Sequence, residues 1–282
     1  MQILSVRHSQ GPVHLTDHYH DGHQLLYVVR GEARVHVGEK EYRMGAGSLL
    51  ILSRFESHAV HVLSTPYERY TVRISPEPMR SAAEAGDLLS SVLVNRAEQF
   101  RHVVEMGEQA LGVEQLLAEM EREYRGEMPM RDEVLSLLLR RLLILLYRHA
   151  PRLFVCEESD STRMIRRLQS RMESNYAEST TLSDLAAECH VSPSHLSHLF
   201  KRVTGYAPMA YLMACRLSAA KSELCRSRSS IREVAARCGF TDESNFCRTF
   251  RSLTGMTPTE FRRTNGKATA KDDLPKMTSK HL

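Results

Sequence analysis

Apolar and polar positions follow a β pattern from Ser5 to Ile74 and take on helical spacing after Pro76. Ala33-Arg-Val35-His-Val37 alternates as a half-buried strand does, with successive side chains on opposite faces. Gln24–Val29 and Ser48–Leu52 are short apolar runs, the pattern of strands sandwiched on both sides. Gly31, Gly38, Gly45 and Gly47 punctuate these segments as turns. Short strands set off by glycine predict a small sandwich or barrel. Beyond it, Val103–Tyr124 and Asp132–Arg148 show helical spacing, with Met106, Leu116, Leu117 and Met120 on the first. The second, bracketed by Pro129 and Pro151, carries Leu135, Leu138, Leu139, Leu142 and Leu146 as a stripe. That stripe suits packing on the β domain or a homodimer seam, and the two uses are compatible. From Thr162 to Arg263 the pattern is helical throughout, after an acidic stretch around Glu157–Ser161 that reads as a linker.

The expected organisation is therefore α+β with two domains. A β-barrel spans 1–76, a helical extension 77–155, a linker 156–161 and an all-α domain 162–264. A polar, disordered tail covers 265–282.

Composition sharpens this division. The chain has 282 residues, a net charge of +4 and 42% hydrophobic residues, enough for real cores. Residues 1–155 hold 18 Lys/Arg against 20 Asp/Glu, whereas residues 156–282 hold 20 against 14. All six cysteines (Cys156, Cys189, Cys215, Cys225, Cys238 and Cys247) lie in the second half, without a CxxC pair. They read as reduced, mostly buried thiols, which excludes a zinc finger or a disulfide scaffold. Met1–Ser9 lacks the apolar core of a signal peptide. Leu135–Tyr147, the greasiest segment, is interrupted by Arg140 and Arg141 and falls short of the roughly 20 residues a membrane span needs. The expectation is a soluble cytoplasmic protein with no membrane association.

The most informative feature is a self-match at a shift of about 50 residues. Ala186-Ala187-x-Cys189 recurs as Ala235-Ala236-x-Cys238. Ser194, Phe200, Thr204, Gly205 and Pro208 recur as Ser244, Phe250, Thr254, Gly255 and Pro258. Each copy reads as helix, tight turn, helix. Thr181 with Asp184, and Ser230 with Glu233, fit the start of the first helix. Ser192 followed by Pro193, and Asp242, fit the start of the second. Paired alanines let the two helices cross closely. This is the arrangement in which a second helix enters the major groove of DNA, with units at about 182–204 and 231–253.

A helical wheel then separates the faces. Leu196, Leu199, Phe200 and Val203 form one apolar face in the first copy, as Phe246, Phe250 and Leu253 do in the second. Opposite them, near the N-terminal ends, stand the candidates for base edges: Ser194, Ser197, His198, Ser244, Asn245 and Arg248. Cys247 lies alongside. Lys201, Arg202 and Arg251 lie further along, where phosphates are reached. Arg248 is the strongest reader, because a guanidinium pairs bidentately with guanine. For the serines and Cys247 the plainer reading is a small packing or solvent-facing residue, and for Arg248 a surface charge.

Leu182–Arg263 resembles the DNA-binding module of the arabinose-regulator (AraC/XylS) family. The resemblance rests on Ser192-Pro-Ser-His-Leu196, Leu199-Phe200-Lys201, Gly205-Tyr-Ala-Pro208 and Arg216-Leu217. It continues through Ser230-Ile231, Ala235, Cys238-Gly-Phe240-Thr-Asp242-Glu-Ser-Asn-Phe246, Phe250-Arg251, Gly255-Met-Thr-Pro258 and Phe261-Arg262. It implies two helix-turn-helix units joined by a long helix near Pro208–Ser227, reaching successive major-groove segments on one DNA face. His198 departs from the longer basic or polar side chain common in the family, so sequence preference does not carry over.

In the front half, His18-Tyr-His20-Asp-Gly-His23-Gln24, then Gly31, Gly47 and His58, has the spacing of a cupin. Residues 14–74 resemble the cupin-like sensor domain at the front of this same family. Gln24 replaces the usual glutamate with a neutral, weak ligand, and Ser53-Arg54-Phe55 replaces the usual Pro-x-Gly. His18, His20, Gln24 and His58 are accordingly assigned to a pocket for a small organic effector. A divalent-metal site, or histidines that merely mark the barrel, are the alternatives. His14, His36 and His61 are read as surface residues.

The resulting expectation is a transcriptional regulator that binds double-stranded DNA and a small effector, with RNA polymerase and a second copy as further partners and no cofactor. The rival reading is a cupin dioxygenase or isomerase using His18, His20 and His58. Gln24 and the duplicated helix-turn-helix both argue against an enzyme.

Overall fold

The computed structural model describes residues 3–11, 14–18, 20–75, 92–93, 100–154, 160–204 and 206–265. It divides into two compact units, Met1–Glu157 and Glu158–Leu282.

The strands of the first unit are β1 (Ile3–Gln10), β2 (His14–His18), β3 (His23–Arg30), β4 (Ala33–Val37), β5 (Lys40–Met44), β6 (Ser48–Leu52), β7 (His58–Val62), β8 (Glu68–Ile74) and β9 (Val103–Glu105). They form two antiparallel sheets, ordered β1-β8-β3-β6-β9 and β2-β7-β4-β5. Among the described residues no ladder joins the edges of one sheet to those of the other, so the expected barrel is a pair of facing sheets rather than a closed one. Leu26, Val28, Leu50 and Leu52 of the first sheet interlock with Ala33, Val35, Val37, Met44 and Val60 of the second.

The other face of the five-stranded sheet is also covered. Leu25, Tyr27, Leu49, Ile51 and Val72 pack against helices α1 (Ala110–Arg125) and α2 (Arg131–His149). Burial on both faces explains the unbroken apolar runs: all five residues of Ser48–Leu52 are buried. The leucine stripe is part of this same core, with Leu135, Leu138, Leu139, Leu142 and Leu146 all buried. Polar contacts pin the helices to the sheet. Tyr27 Oη donates to the Ala110 carbonyl at 3.0 Å, Tyr124 Oη to the Leu4 carbonyl at 2.8 Å, and the His8 amide to Glu121 Oε1 at 3.0 Å.

One segment departs from its helical reading. Val103–Glu105 is strand β9, paired with β6 through Ser48↔Glu105 and Leu50↔Val103. Two β-branched residues close the open edge of β6 there. Ser48 Oγ donates to both Glu105 carboxylate oxygens at 2.8 and 2.9 Å. Helix α1 starts only at Ala110, after a turn through Gly107 at φ +50°.

The second unit is helical: α3 (Asp160–Ser174), α4 (Leu182–Glu188), α5 (Pro193–Thr204), α6 (Pro208–Arg226), α7 (Ile231–Arg237), α8 (Glu243–Thr254) and α9 (Pro258–Asn265). Asp160 and Ser161, read as linker, already belong to α3. The remaining linker residues 156–159, and tail residues 266–282, lie outside the described residues. Of the described cysteines, Cys215 and Cys238 are buried, Cys189 and Cys247 half-buried and Cys225 exposed. No helix among the described residues is long and apolar enough to cross a membrane.

The doubly covered sheet makes a prediction. Leu139 is 0% exposed and Leu137, on the same helix, is 67% exposed. Leu139→Ala should destabilise the first unit by about 2–5 kcal/mol in chemical denaturation, and Leu137→Ala by no more than about 0.5 kcal/mol. Equal losses would contradict the placement of α2.

Candidate functional site

The two helix-turn-helix units repeat hydrogen bond for hydrogen bond. Thr181 caps α4 in a reciprocal box with Asp184, and Ser230 caps α7 in the same box with Glu233. The cap bonds hold both carboxyls below the usual carboxylate range. The turns that follow pass through left-handed residues at equivalent places, His190 at φ 54° and Gly239 at φ 79°. Ser192 Oγ then accepts from the His195 amide at 3.2 Å, and Asp242 Oδ1 from the Asn245 amide at 2.9 Å. At the far ends, Thr204 Oγ1 donates to the Phe200 carbonyl at 2.8 Å and Thr254 Oγ1 to the Phe250 carbonyl at 2.7 Å. Phe200 packs edge-on against Tyr211 at 5.6 Å, and Phe250 against Phe261 at 5.4 Å.

This scaffold fixes which face of α5 and α8 is free. Leu196, Leu199 and Phe200 are buried and Val203 half-buried, as are Phe246, Phe250 and Leu253 in the second copy. Ser194, His198, Lys201 and Arg202 are exposed on α5, and Ser197 is half-exposed. On α8, Ser244, Arg248 and Arg251 are exposed, and Asn245 and Cys247 half-exposed. Cys247, Arg248, Arg251, Ser252, Gly255 and Thr257 line one groove. The wheel thus places every proposed reader off the core. His195, exposed at the position equivalent to Asn245, is a further residue on this surface that the wheel left out.

In the first unit the sheets bring three histidines together. His18 ends β2 and pairs with His58 at the start of β7, and His20 follows in the β2–β3 connection. Their ring centroids lie 4.3 Å (His18–His58), 4.8 Å (His18–His20) and 5.1 Å (His20–His58) apart. His18 and His58 are 4% and 1% exposed, and Gln24 is 5% exposed. Gln24 stands opposite Arg73 of β8 in the ladder, so the assigned residues share one end of the sandwich. Arg73, which the sequence did not single out, donates from Nη2 to His20 Nδ1 at 2.8 Å.

A polar network holds His58. Its Nδ1 lies 2.9 Å from the Glu56 carbonyl, which requires the proton on Nδ1 and leaves Nε2 as a bare lone pair. Glu56 is fixed in turn: its carboxylate accepts from the Ser53 amide at 2.6 Å and meets His102 Nε2 at 3.1 Å. His102 reaches Tyr42 Oη through Nδ1 at 3.0 Å. Burial, and after it the neighbouring His18, push the His58 imidazole down to about 3, so the ring is neutral at neutral pH. Neither His102 nor Tyr42 was legible as part of this site, because both join it only through strand pairing.

Comparison with known proteins gives a consistent result. Residues 2–143 match the model of an AraC-like ligand binding domain, and residues 185–264 match that of a helix-turn-helix domain. The chain is 24% identical over 251 residues to the HTH-type transcriptional activator RhaR of Shigella dysenteriae, covering 89% of this chain and 88% of the relative. RhaR of Escherichia coli K12 matches at the same identity and coverage. Among solved structures, ToxT from Vibrio cholerae superposes with a TM-score of 0.58 at 16% identity, over 93% of this chain and 98% of ToxT. Wild-type ToxT with bound unsaturated fatty acid superposes with a TM-score of 0.57 at 15% identity, over 93% and 95% of the two chains.

The turn of the second helix-turn-helix can be tested. A Cβ on Gly239 would lie 2.7 Å from the Ala177 carbonyl oxygen, on a backbone at φ 79°. Gly239→Ala should therefore lower the unit's stability by more than the roughly 1 kcal/mol of the left-handed conformation alone. Asp242→Ala, which removes only the α8 cap, should cost about 0.5–2 kcal/mol. Thermal denaturation of both variants checks the order; a neutral Gly239→Ala would contradict the turn geometry.

Proposed function

The chain belongs to the AraC family of DNA-binding transcriptional regulators, and from that premise we propose how its residues divide the work. It carries a ligand-binding domain in front and a helix-turn-helix domain behind, and it is a regulator, not an enzyme. Ser194, Ser197 and His198 of α5, with Ser244, Asn245 and Arg248 of α8, read base edges. Lys201, Arg202 and Arg251 contact phosphates. The observation that carries this reading is the duplicated scaffold, which buries one face of each second helix and leaves these side chains on the other.

The effector is a small organic molecule held at the end of the sandwich by His18, His20, Gln24 and His58, with Arg73 beside them. Arg73 adds a fixed positive charge, and the histidines and Gln24 add hydrogen-bonding groups to largely buried surroundings. Unsaturated fatty acid bound to ToxT, a chain of similar fold, supports an organic ligand for this one. The effector works by differential affinity for two states of the chain. The name of RhaR as an activator supports an activating role, which requires contact with RNA polymerase in the cytoplasm. Self-association uses the outer face of α2, where Leu137, Ile144 and Tyr147 are exposed beside Arg140 and Arg141.

Genome-wide footprinting identifies the operator on which these roles are tested. Arg248→Ala should weaken specific binding by about 1–3 kcal/mol and relax preference at one base pair. Unchanged affinity and preference would refute the assignment. Lys201→Ala should instead weaken binding to all sequences and flatten its salt dependence; a change in base preference alone would contradict it.

A further inference from the structure

We propose that Arg69 and Tyr67 form a binding site for a small carboxylate anion between the two sheets of the first unit. Tyr70, Val72 and Ile74 of β8 belong to the core that also holds α1 and α2. By strand alternation Arg69, Thr71 and Arg73 therefore turn toward the facing sheet. Tyr67, just before β8, is buried in the core between the sheets. In the ladders Arg69 stands opposite Val28 of β3, a residue of that same core, and opposite Ser9 of β1.

Two hydrogen-bond donors there lack partners. Tyr67 is 0% exposed and its Oη makes no hydrogen bond. Arg69 Nη1 is also buried without a hydrogen-bond partner, and among the described residues no carboxylate pairs with this guanidinium. Glu68, the adjacent carboxylate in sequence, is taken by His8 at 2.6 Å, on the face where His8 stacks on Tyr70. Arg54 and Arg73, half-buried in the same sandwich, do have partners, Asp21 at 2.9 Å and His20 at 2.8 Å. Arg69 instead lies over the Tyr67 ring, its Cζ 5.4 Å from the centroid. This contact keeps the two donors close together while satisfying neither.

The donor chemistry names the ligand. A guanidinium only donates, and a phenol hydroxyl can donate as well. A buried donor without an acceptor is costly, and a cation without a counter-ion more so. A carboxylate removes both costs, because it is negative and its two oxygens accept charge-assisted hydrogen bonds. One guanidinium and one phenol balance a single negative charge, which suits a carboxylate better than a phosphate dianion. Arg69 is only half-buried, so an anion reaches it without opening the core. Arg69 lies four residues along β8 from Arg73, about 13 Å at the rise of a strand. The site therefore shares no residue with the histidine end and does not depend on the effector assigned there.

Acetate is the simplest probe. Full-length protein, isotope-labelled at arginine, is titrated with sodium acetate at constant ionic strength and followed by NMR, with acetamide as the neutral counterpart. One guanidinium resonance, missing in Arg69→Met, should shift saturably with acetate in the millimolar range of so small a ligand, and not with acetamide. Tyr67→Phe should weaken acetate binding at least about tenfold. Without acetate, neither variant should melt below the parent, because neither donor has a partner to lose. If Arg69→Met does not fold, Tyr67→Phe decides, since it removes one oxygen atom. No saturable shift, an equal response to acetamide, tighter binding of inorganic phosphate than of acetate, or affinity indifferent to Tyr67→Phe would overturn the site. A clear loss of thermal stability in Tyr67→Phe without acetate would do the same, because the hydroxyl would then already be bonded.

Discussion

Four rings hold the second DNA-reading unit together. Phe240, Phe246, Phe250 and Phe261 pack edge to face in sequence, at centroid distances of 4.9, 5.6 and 5.4 Å. Edge-to-face pairs add to the area that large side chains already bury. Their consequence here is directional. A helix anchored by Phe246 and Phe250 through one face cannot rotate about its axis, so Ser244, Arg248 and Arg251 are held on the opposite side. The first helix-turn-helix reaches the same end with fewer aromatics, through Leu196, Leu199 and the Phe200–Tyr211 pair. Base recognition tolerates little rotation of a helix, and this packing supplies the constraint.

The first unit relies on a different kind of layering. Its five-stranded sheet is covered by a second sheet on one side and by α1 and α2 on the other. Polar side chains are expensive in such an interior unless they are paired. His18, Gln24 and His58 are nevertheless buried there. Their presence at one end, with Arg73, Glu56 and His102 around them, is what supports the binding site proposed there.

How much of this was legible in the sequence differs between the units. In the second, the helices, their caps and the exposed faces follow from local rules, and the repeat doubles each signal. Thr181 with Asp184, Ser230 with Glu233, and Asp242 with Asn245 all form within a few residues of one another. In the first unit, strand-like alternation and the three histidines were visible, but their neighbours were not. Val103–Glu105 read as helix because periodicity does not announce which open sheet edge a segment will complete. Arg73, His102 and Tyr42 were missed because each meets the cluster across dozens of residues of chain. The leucine stripe was visible as a stripe; only the fold shows that the sheet covers it and that Leu137, Ile144 and Tyr147 are what remains exposed.

The central claim is that two equivalent helices of one chain read neighbouring stretches of a single DNA duplex. Methylation-protection footprinting of the full-length protein on its operator tests it most directly. The account predicts, for each bound chain, two protected major-groove segments about one helical turn, or roughly 10 base pairs, apart on the same face of the DNA. A single protected segment per chain, or two on opposite faces, would contradict it.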